Sequence, residues 1–289
     1  MFMSSNQNQK TIVITGCSSG IGYETAITCA KNNFQVFACL RFPEIANNLK
    51  KIIEEENLSN LKIITMDLSD SNSIYSGIND ILNQTDHIDI LFNNAGMMIM
   101  GSLEDLSESE LEKQLKTDLI GLIHLTKKII PIMRKNNSGL IINMSSIAGR
   151  IGFSQSSAYC VSKFGIEGLS QSLRRELITK NISVCLIEAG IVDTNFFKNM
   201  KIAKNSEHSV YAIETSQMRE MMDNIPKSNF TSPKFVADLV LKIIDEKGKK
   251  FRYVVGNDAH SMIAALEDSL DDQNKMDIEI QTIMKKWIQ

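Results

Sequence analysis

Ser146, Tyr159 and Lys163 are the side chains of this 289-residue sequence whose types and spacing suit proton transfer at a substrate oxygen. If the residues around them are helical, Tyr159 and Lys163 stand at i and i+4 and share one face. A phenol titrates near ~10 and is a poor acid or base at neutrality. An ammonium within a few ångströms favours the phenolate and draws that value towards working pH. Ser146 adds a short hydroxyl that can hold a substrate oxygen beside the same phenol.

Such a trio needs elements that deliver it to one place. Thr11-Ile12-Val13-Ile14 is a β-branched apolar run that feeds Thr15-Gly16-Cys17-Ser18-Ser19-Gly20-Ile21-Gly22, after which Ala26, Ile27 and Ala30 recur at helical spacing. Strand, Gly-rich turn and helix together aim backbone N–H groups at a phosphate. The spacing is G-x-x-x-G-x-G, not the commoner G-x-G-x-x-G. A second strand, 35–40, ends in Leu40-Arg41. Many dinucleotide sites carry an acid here for the ribose 2′-hydroxyl, whereas an arginine accommodates a 2′-phosphate. Arg41 therefore predicts a preference for NADP(H), with NAD(H) as the other option.

Further strands are expected at 61–66, 88–92, 140–144, 182–187 and 251–255. Helices are expected at 44–56, at 71–84 with Ser71 as cap, at 110–134, from Tyr159 through Leu177, and at 232–245. Nearly all-apolar strands alternating with helices predict an α/β fold, a Rossmann-type doubly wound parallel sheet in a single domain. Within 1–289 the expected parts are a cofactor-binding and catalytic core at 10–195, a helical substrate lid at 196–230 and a helical C-terminal extension at 258–289. From about Ser261 the extension reads as one acidic amphipathic helix ending in Lys285-Lys286-Trp287. Ligands of such sheets bind beyond the carboxyl ends of the strands. The segments 16–22, 41, 67–68, 93–96, 145–146 and 188–194 all fall there.

Composition narrows the field. A net charge of −3 argues against a nucleic-acid partner. No run of 18 apolar residues predicts a membrane span, and Met1 to Lys10 lacks the apolar stretch of a secretory signal. Five cysteines without a C-x-x-C pair fit free thiols in a reducing cytoplasm, and the four scattered histidines suggest no metal.

Taken in order, Thr15-Gly16…Gly20-Ile21-Gly22, Asp67, Asn93-Asn94-Ala95-Gly96, Ser146, Tyr159-x-x-x-Lys163 and Gly190…Thr194 resemble the short-chain dehydrogenase/reductase family. The wording of the Gly-rich turn and the Leu-Arg pair are similar to its NADP-preferring hydroxysteroid and retinol dehydrogenase branch. The resemblance implies that Gly16, Ser18, Gly20, Ile21 and Gly22 cradle the cofactor phosphates and that Arg41 meets the 2′-phosphate. It implies Asp67 and Leu68 at the adenine, Asn94 and Gly96 along the ribose path, and Val192 and Thr194 at the carboxamide. Lys163 would grip the nicotinamide ribose and lower the Tyr159 pKa. Tyr159 would be the acid/base of hydride transfer between alcohol and carbonyl, with Ser146 stabilising the oxygen. A homodimer or homotetramer through helices 110–134 and 157–180 is also implied.

Two positions depart from that pattern. Ala189 stands where the family usually has proline, and Asp118, three before Gly121, stands where it usually has asparagine. The Asp118 carboxylate should oppose the field of Lys163 and raise the Tyr159 pKa. Methionines 97, 98 and 100 with Ile99, and Phe196, Phe197, Met200, Tyr211, Met218, Met221 and Met222 beyond the core, suggest an adaptable apolar wall and a bulky alcohol or ketone substrate. A reductase of carrier-protein-bound 3-oxoacyl groups and a non-catalytic NADP(H) sensor remain the alternatives.

Overall fold

The computed structural model describes residues 9–269 and 272–288, with side chains up to 284. The expected lack of a signal over the first eight residues, and the side chains of Lys285-Lys286-Trp287, lie outside the described residues. Nine strands are described: β1 (Thr11–Thr15), β2 (Gln35–Leu40), β3 (Leu61–Thr65), β4 (Ile90–Asn93), β5 (Ile99–Met100), β6 (Gly139–Met144), β7 (Ile182–Ala189), β8 (Lys201–Ile202) and β9 (Arg252–Val255). The described α-helices are α1 (Gly20–Lys31), α2 (Asn47–Glu55), α3 (Ser71–Leu82), α4 (Glu108–Leu115), α5 (Gly121–Lys135), α6 (Ser157–Leu177), α7 (Ala212–Asn224), α8 (Pro233–Asp245), α9 (Asn257–Ser269) and α10 (Gln273–Ile288).

Seven strands form one parallel sheet in the order β3-β2-β1-β4-β6-β7-β9. The period-2 alternation of each strand divides the core into two layers. Ile12 and Ile14 of β1 and Val36, Ala38 and Leu40 of β2 pack with Ala26, Leu49 and Val240, under α1, α2 and α8. Val13, Phe37 and Cys39 point the other way, against Ile78, Ile129 and Leu173 of α3, α5 and α6. This is the doubly wound α/β architecture expected from the apolar strand runs. The order reverses between β1 and β4, which opens the binding crevice over their carboxyl ends.

A polar line crosses this core at the crevice. The Asn93 amide donates to Asn143 Oδ1 at 2.8 Å and to Thr126 Oγ1 at 3.0 Å. Asn143 donates to Ser170 Oγ at 2.8 Å, so β4, β6 and α6 are keyed together by buried hydrogen bonds.

Several local expectations change. The stretch 110–134 is not one uninterrupted α-helix: residues Lys116–Ile120 form a π-helical turn between α4 and α5. The turn carries Asp118 inward, and Gly121 lets the helix close on Leu68, whose carbonyl oxygen would lie 2.1 Å from an added Cβ. Asp70, not Ser71, caps α3, because its carboxylate reaches the Asn72 N–H at 2.9 Å. The stretch 44–56 begins as a 3-10 turn, Pro43–Ile45, before α2. The stretch 196–230, expected as a helical lid, holds the helix α7 but also β8, which pairs with β5 in a small parallel sheet. The tail is two helices, since Asp272 accepts the Lys275 N–H at 3.0 Å and starts α10 afresh. Among the described residues, no helix is long and apolar enough to cross a membrane.

Candidate active site

The cleft beyond the strand ends has a volume of about 640 Å³. At one end, Gly16 and Gly20 adopt φ of +75° and +63°, which glycine tolerates without a Cβ clash. A Cβ on Gly16 would lie 2.8 Å from Ala95 Cα, and one on Gly20 would lie 2.9 Å from Thr194 Cγ2. Asn94 fastens the turn from behind, donating through Nδ2 to Thr15 O at 2.9 Å, while Thr15 Oγ1 accepts the N–H groups of Asn94 and Ala95. Ser19 caps α1 without a side-chain hydrogen bond, and no acid occupies the first turn. The open N–H groups and the helix dipole therefore favour an anion, so these residues fit the phosphates of a dinucleotide.

Gly22 packs under the turn, where a Cβ would stand 2.4 Å from Gly16 O, so its lack of a side chain allows close packing of helix on strand. Ser18, Ile21, Arg41, Asp67, Leu68, Asn94, Gly96, Val192 and Thr194 all line the cleft. Arg41 is exposed at its rim, its guanidinium 4.5 Å over the Phe42 ring, and no carboxylate among the described residues pairs with it. Asp67 Oδ1 is taken by the Ser69 N–H at 2.9 Å and its hydroxyl at 2.7 Å.

Strand β6 ends at Met144 and hands the chain to Ser146, whose hydroxyl accepts the Ala148 N–H at 3.1 Å. Helix α6 supplies Tyr159 and Lys163, and all three line the same part of the cleft. Lys163 is buried; its Nζ donates to Met144 O at 2.9 Å and lies 5.5 Å from the centre of the Tyr159 ring. Burial lowers the Lys163 pKa, against the carboxylates of Asp118 and Glu167.

Tyr159 does not show the downward shift that the i, i+4 spacing suggests. Burial pushes the phenol above its ordinary range and the Asp118 carboxylate pushes it further, while the Ser146 hydroxyl opposes both. The lysine sits over the ring with a proton committed to Met144, so enclosure and Asp118 prevail.

Asp118 is 1% exposed and burial pushes its carboxyl up to about 7, against the nearby ammonium of Lys163. Its Oδ1 accepts the Met97 N–H at 3.0 Å, and its Oδ2 accepts from Gln114 Nε2 at 2.8 Å. Gln114 also donates to Met97 O at 2.8 Å and accepts the Ile99 N–H at 2.9 Å. The carboxylate and the ammonium converge on Gly96, where a Cβ would lie 3.6 Å from Asp118 Oδ2 and 3.8 Å from Lys163 Nζ. Gln114 escaped the sequence reading, because nothing local marks a glutamine that clamps a loop seventeen residues earlier.

The apolar wall is formed by Met97, Met98, Phe196, Phe197, Met218, Met221 and Met222, joined by Phe153, Ile225 and Met284. Ile99 and Met100 are buried in β5 instead, and Met200 packs beneath them against Met98 and Met100. Tyr211 faces a shallow depression with Leu103, apart from the cleft that Ser146, Tyr159 and Lys163 line. Met284, from the last helix, could not be placed from sequence, since its position at the cleft depends on how α10 packs on the rest of the fold. No group of three or more histidine, cysteine or acidic side chains among the described residues could hold a metal.

A model of the short chain dehydrogenase family matches residues 10–205. The chain is 31% identical over 262 residues to 3-ketodihydrosphingosine reductase of Bacteroides thetaiotaomicron, covering 90% of this chain and 93% of that protein. It is 34% identical over 260 residues to the uncharacterized oxidoreductase YusZ of Bacillus subtilis, covering 86% and 90%. A short-chain dehydrogenase structure from Streptomyces avermitilis superposes with a TM-score of 0.82 at 27% identity, covering 92% of this chain and 95% of that one. The protein belongs to the short-chain dehydrogenase/reductase family of NAD(P)-dependent oxidoreductases.

Asp118 makes a prediction about pH. As pH rises through about 7 its carboxyl ionises, and the negative charge raises the Tyr159 pKa further. With Tyr159 as the expected base of alcohol oxidation, the acid limb of kcat in Asp118→Asn should move to lower pH. Profiles of kcat against pH for both proteins check this; a limb that stays put or moves upward contradicts it.

Proposed function

We propose that the protein is an NADP(H)-dependent oxidoreductase that interconverts a primary or secondary alcohol and its aldehyde or ketone on a bulky apolar substrate. The observation that carries this reading is one cleft with three zones: an anion-binding turn with Arg41, which pairs with no carboxylate among the described residues, at its rim, the Ser146–Tyr159–Lys163 trio, and a wall of methionine and phenylalanine. When bound, the dinucleotide supplies or accepts the hydride. The protein's part is positioning and proton transfer. Gly16, Ser18, Gly20 and Ile21 hold the phosphates and Arg41 the 2′-phosphate. Asp67 and Leu68 border the adenine, Asn94 and Gly96 the ribose path, and Val192 and Thr194 the carboxamide. Lys163 grips the nicotinamide ribose hydroxyls.

In the reductive direction, Tyr159 Oη gives its proton to the substrate oxygen, and Ser146 Oγ donates a hydrogen bond to that oxygen as charge develops on it. A phenol held above its ordinary range is a proton carrier that stays loaded at neutral pH, which suits reduction. The wall supports an apolar ketone, the kind of group named in the Bacteroides relative. Its methionines adapt to shape and, with α7 in front of the cleft, support a lid that moves. Five buried free cysteines support a cytoplasmic setting. Exposed Ile120, Val161 and Phe164 on the two long helical segments support a homodimer or homotetramer, an assignment that sedimentation as a monomer would remove.

Two variants test the chemistry. Tyr159→Phe should lower turnover by roughly 10²–10⁴-fold, the usual worth of a general acid, while NADPH binding persists. Turnover at the natural rate would sink the mechanism. Arg41→Ala should reduce the ratio of NADPH to NADH affinity by roughly tenfold or more, the size of one lost charge-assisted contact. Titration with both cofactors measures it, and an unchanged ratio would remove the NADP(H) preference.

A further inference from the structure

The proposed chemistry leaves one buried carboxylate beside the cleft unused. Asp258 lies in the first turn of α9, in the C-terminal extension, and is only 7% exposed. Its Oδ2 reaches back 67 residues to accept the Ile191 N–H at 2.6 Å. Ile191, Val192 and Thr194 line the cleft, so this bond is made to the loop that faces the substrate end of the dinucleotide site. Among the described residues the loop is also tied by Gly190 N–H to Val255 O at 2.9 Å, Thr231 N–H to Ile191 O at 3.0 Å, and Asp193 N–H to Thr231 O at 2.9 Å, and Thr194 Oγ1 accepts the Phe196 N–H at 3.1 Å.

Two glycines make room for the carboxylate. A Cβ on Gly190 would lie 2.1 Å from Asp258 Oδ2, and one on Gly256, whose φ is +101°, would lie 2.3 Å from Oδ1. Three positions, 190, 256 and 258, thus serve a single contact. Ala189 precedes Gly190, so no proline ring stiffens the entry to the loop. A charge-assisted hydrogen bond from a helix start supplies a long-range fastening in its place.

We propose that Asp258 is a positioning residue that holds the 190–194 loop where Val192 and Thr194 meet the nicotinamide carboxamide; this rests on the role given to those two residues above. The carboxylate acts through the Ile191 backbone and does not touch the cofactor. It makes the C-terminal extension part of the catalytic unit. A merely structural anchor would affect stability and leave the two halves of the cofactor equally well bound.

The test compares NADPH with 2′,5′-ADP, which carries the adenosine half and its phosphates but no nicotinamide. Affinities are measured for the natural protein, Asp258→Ala and Asp258→Asn, with the emission of bound dihydronicotinamide as an independent signal. Asp258→Ala should lose roughly tenfold in NADPH affinity while 2′,5′-ADP binding stays within about twofold, the expected loss of one charge-assisted bond acting on one end only. The emission of the bound dihydronicotinamide should shift towards that of free NADPH. Asp258→Asn keeps an acceptor for the Ile191 N–H and should restore most of both signals. If Asp258→Ala does not fold, Asp258→Glu, which displaces the loop by one methylene, should show the same selective loss. Equal weakening of both probes, or none, in a folded variant overturns the proposal. Equal affinity of the natural protein for NADPH and 2′,5′-ADP, with no emission change, would instead overturn the roles of Val192 and Thr194.

Discussion

The structure depends on keeping one ammonium out of water. Lys163 is 3% exposed, and a lysine is rarely so deep unless its charge is answered. Three groups answer it here: the Met144 carbonyl at 2.9 Å, the buried carboxylate of Asp118 and, more weakly, that of Glu167. The first exists because β6 ends at Met144, and the second because the helix unwinds by one residue into a π turn at Lys116–Ile120. Such turns are costly and often mark functional sites. The same Asp118 accepts from Met97 and Gln114, so the charge balance behind the phenol and the position of the apolar wall are set by one side chain.

A second charged group braces the far side of α6. Glu167 and Glu188 are both buried, and Arg252 bonds to each, at 2.9 Å and 2.7 Å, while Arg150 reaches Glu188 at 3.0 Å. Buried pairs of this kind add little net stability over an apolar core, but breaking one partner is expensive. Their consequence here is geometric: α6, β7 and β9 are held in a single arrangement, and Tyr159 and Lys163 ride on α6. Glu188 is the penultimate residue of β7, and its carboxylate is taken by Arg150 and Arg252, so its place in the 188–194 segment reflects the brace.

The parts readable from sequence were those encoded locally. Apolar strand runs and helical spacing are short-range patterns, and they sufficed for the parallel sheet and its two helical layers. Gly16 and Gly20 were legible because the turn itself needs positive φ. A glycine required for packing, as Gly22 is against Gly16 O, looks the same in sequence as one that faces a phosphate. The π turn, the Gln114–Asp118 clamp, the β5–β8 pair and the Asp258 tie all depend on partners many residues away, which no window of sequence contains. For Tyr159, the i, i+4 lysine suggests a lowered pKa and Asp118 a raised one; the rise prevails, led by burial, which no spacing shows.

The central claim is that a buried carboxylate beside Lys163 sets the charge behind Tyr159. The direct measurement is the ¹³C NMR titration of the Asp118 carboxyl, assigned by comparison with Asp118→Asn. The account predicts a titration near 7, where burial holds that carboxyl. A midpoint in the ordinary aspartate range, near ~4, would contradict it.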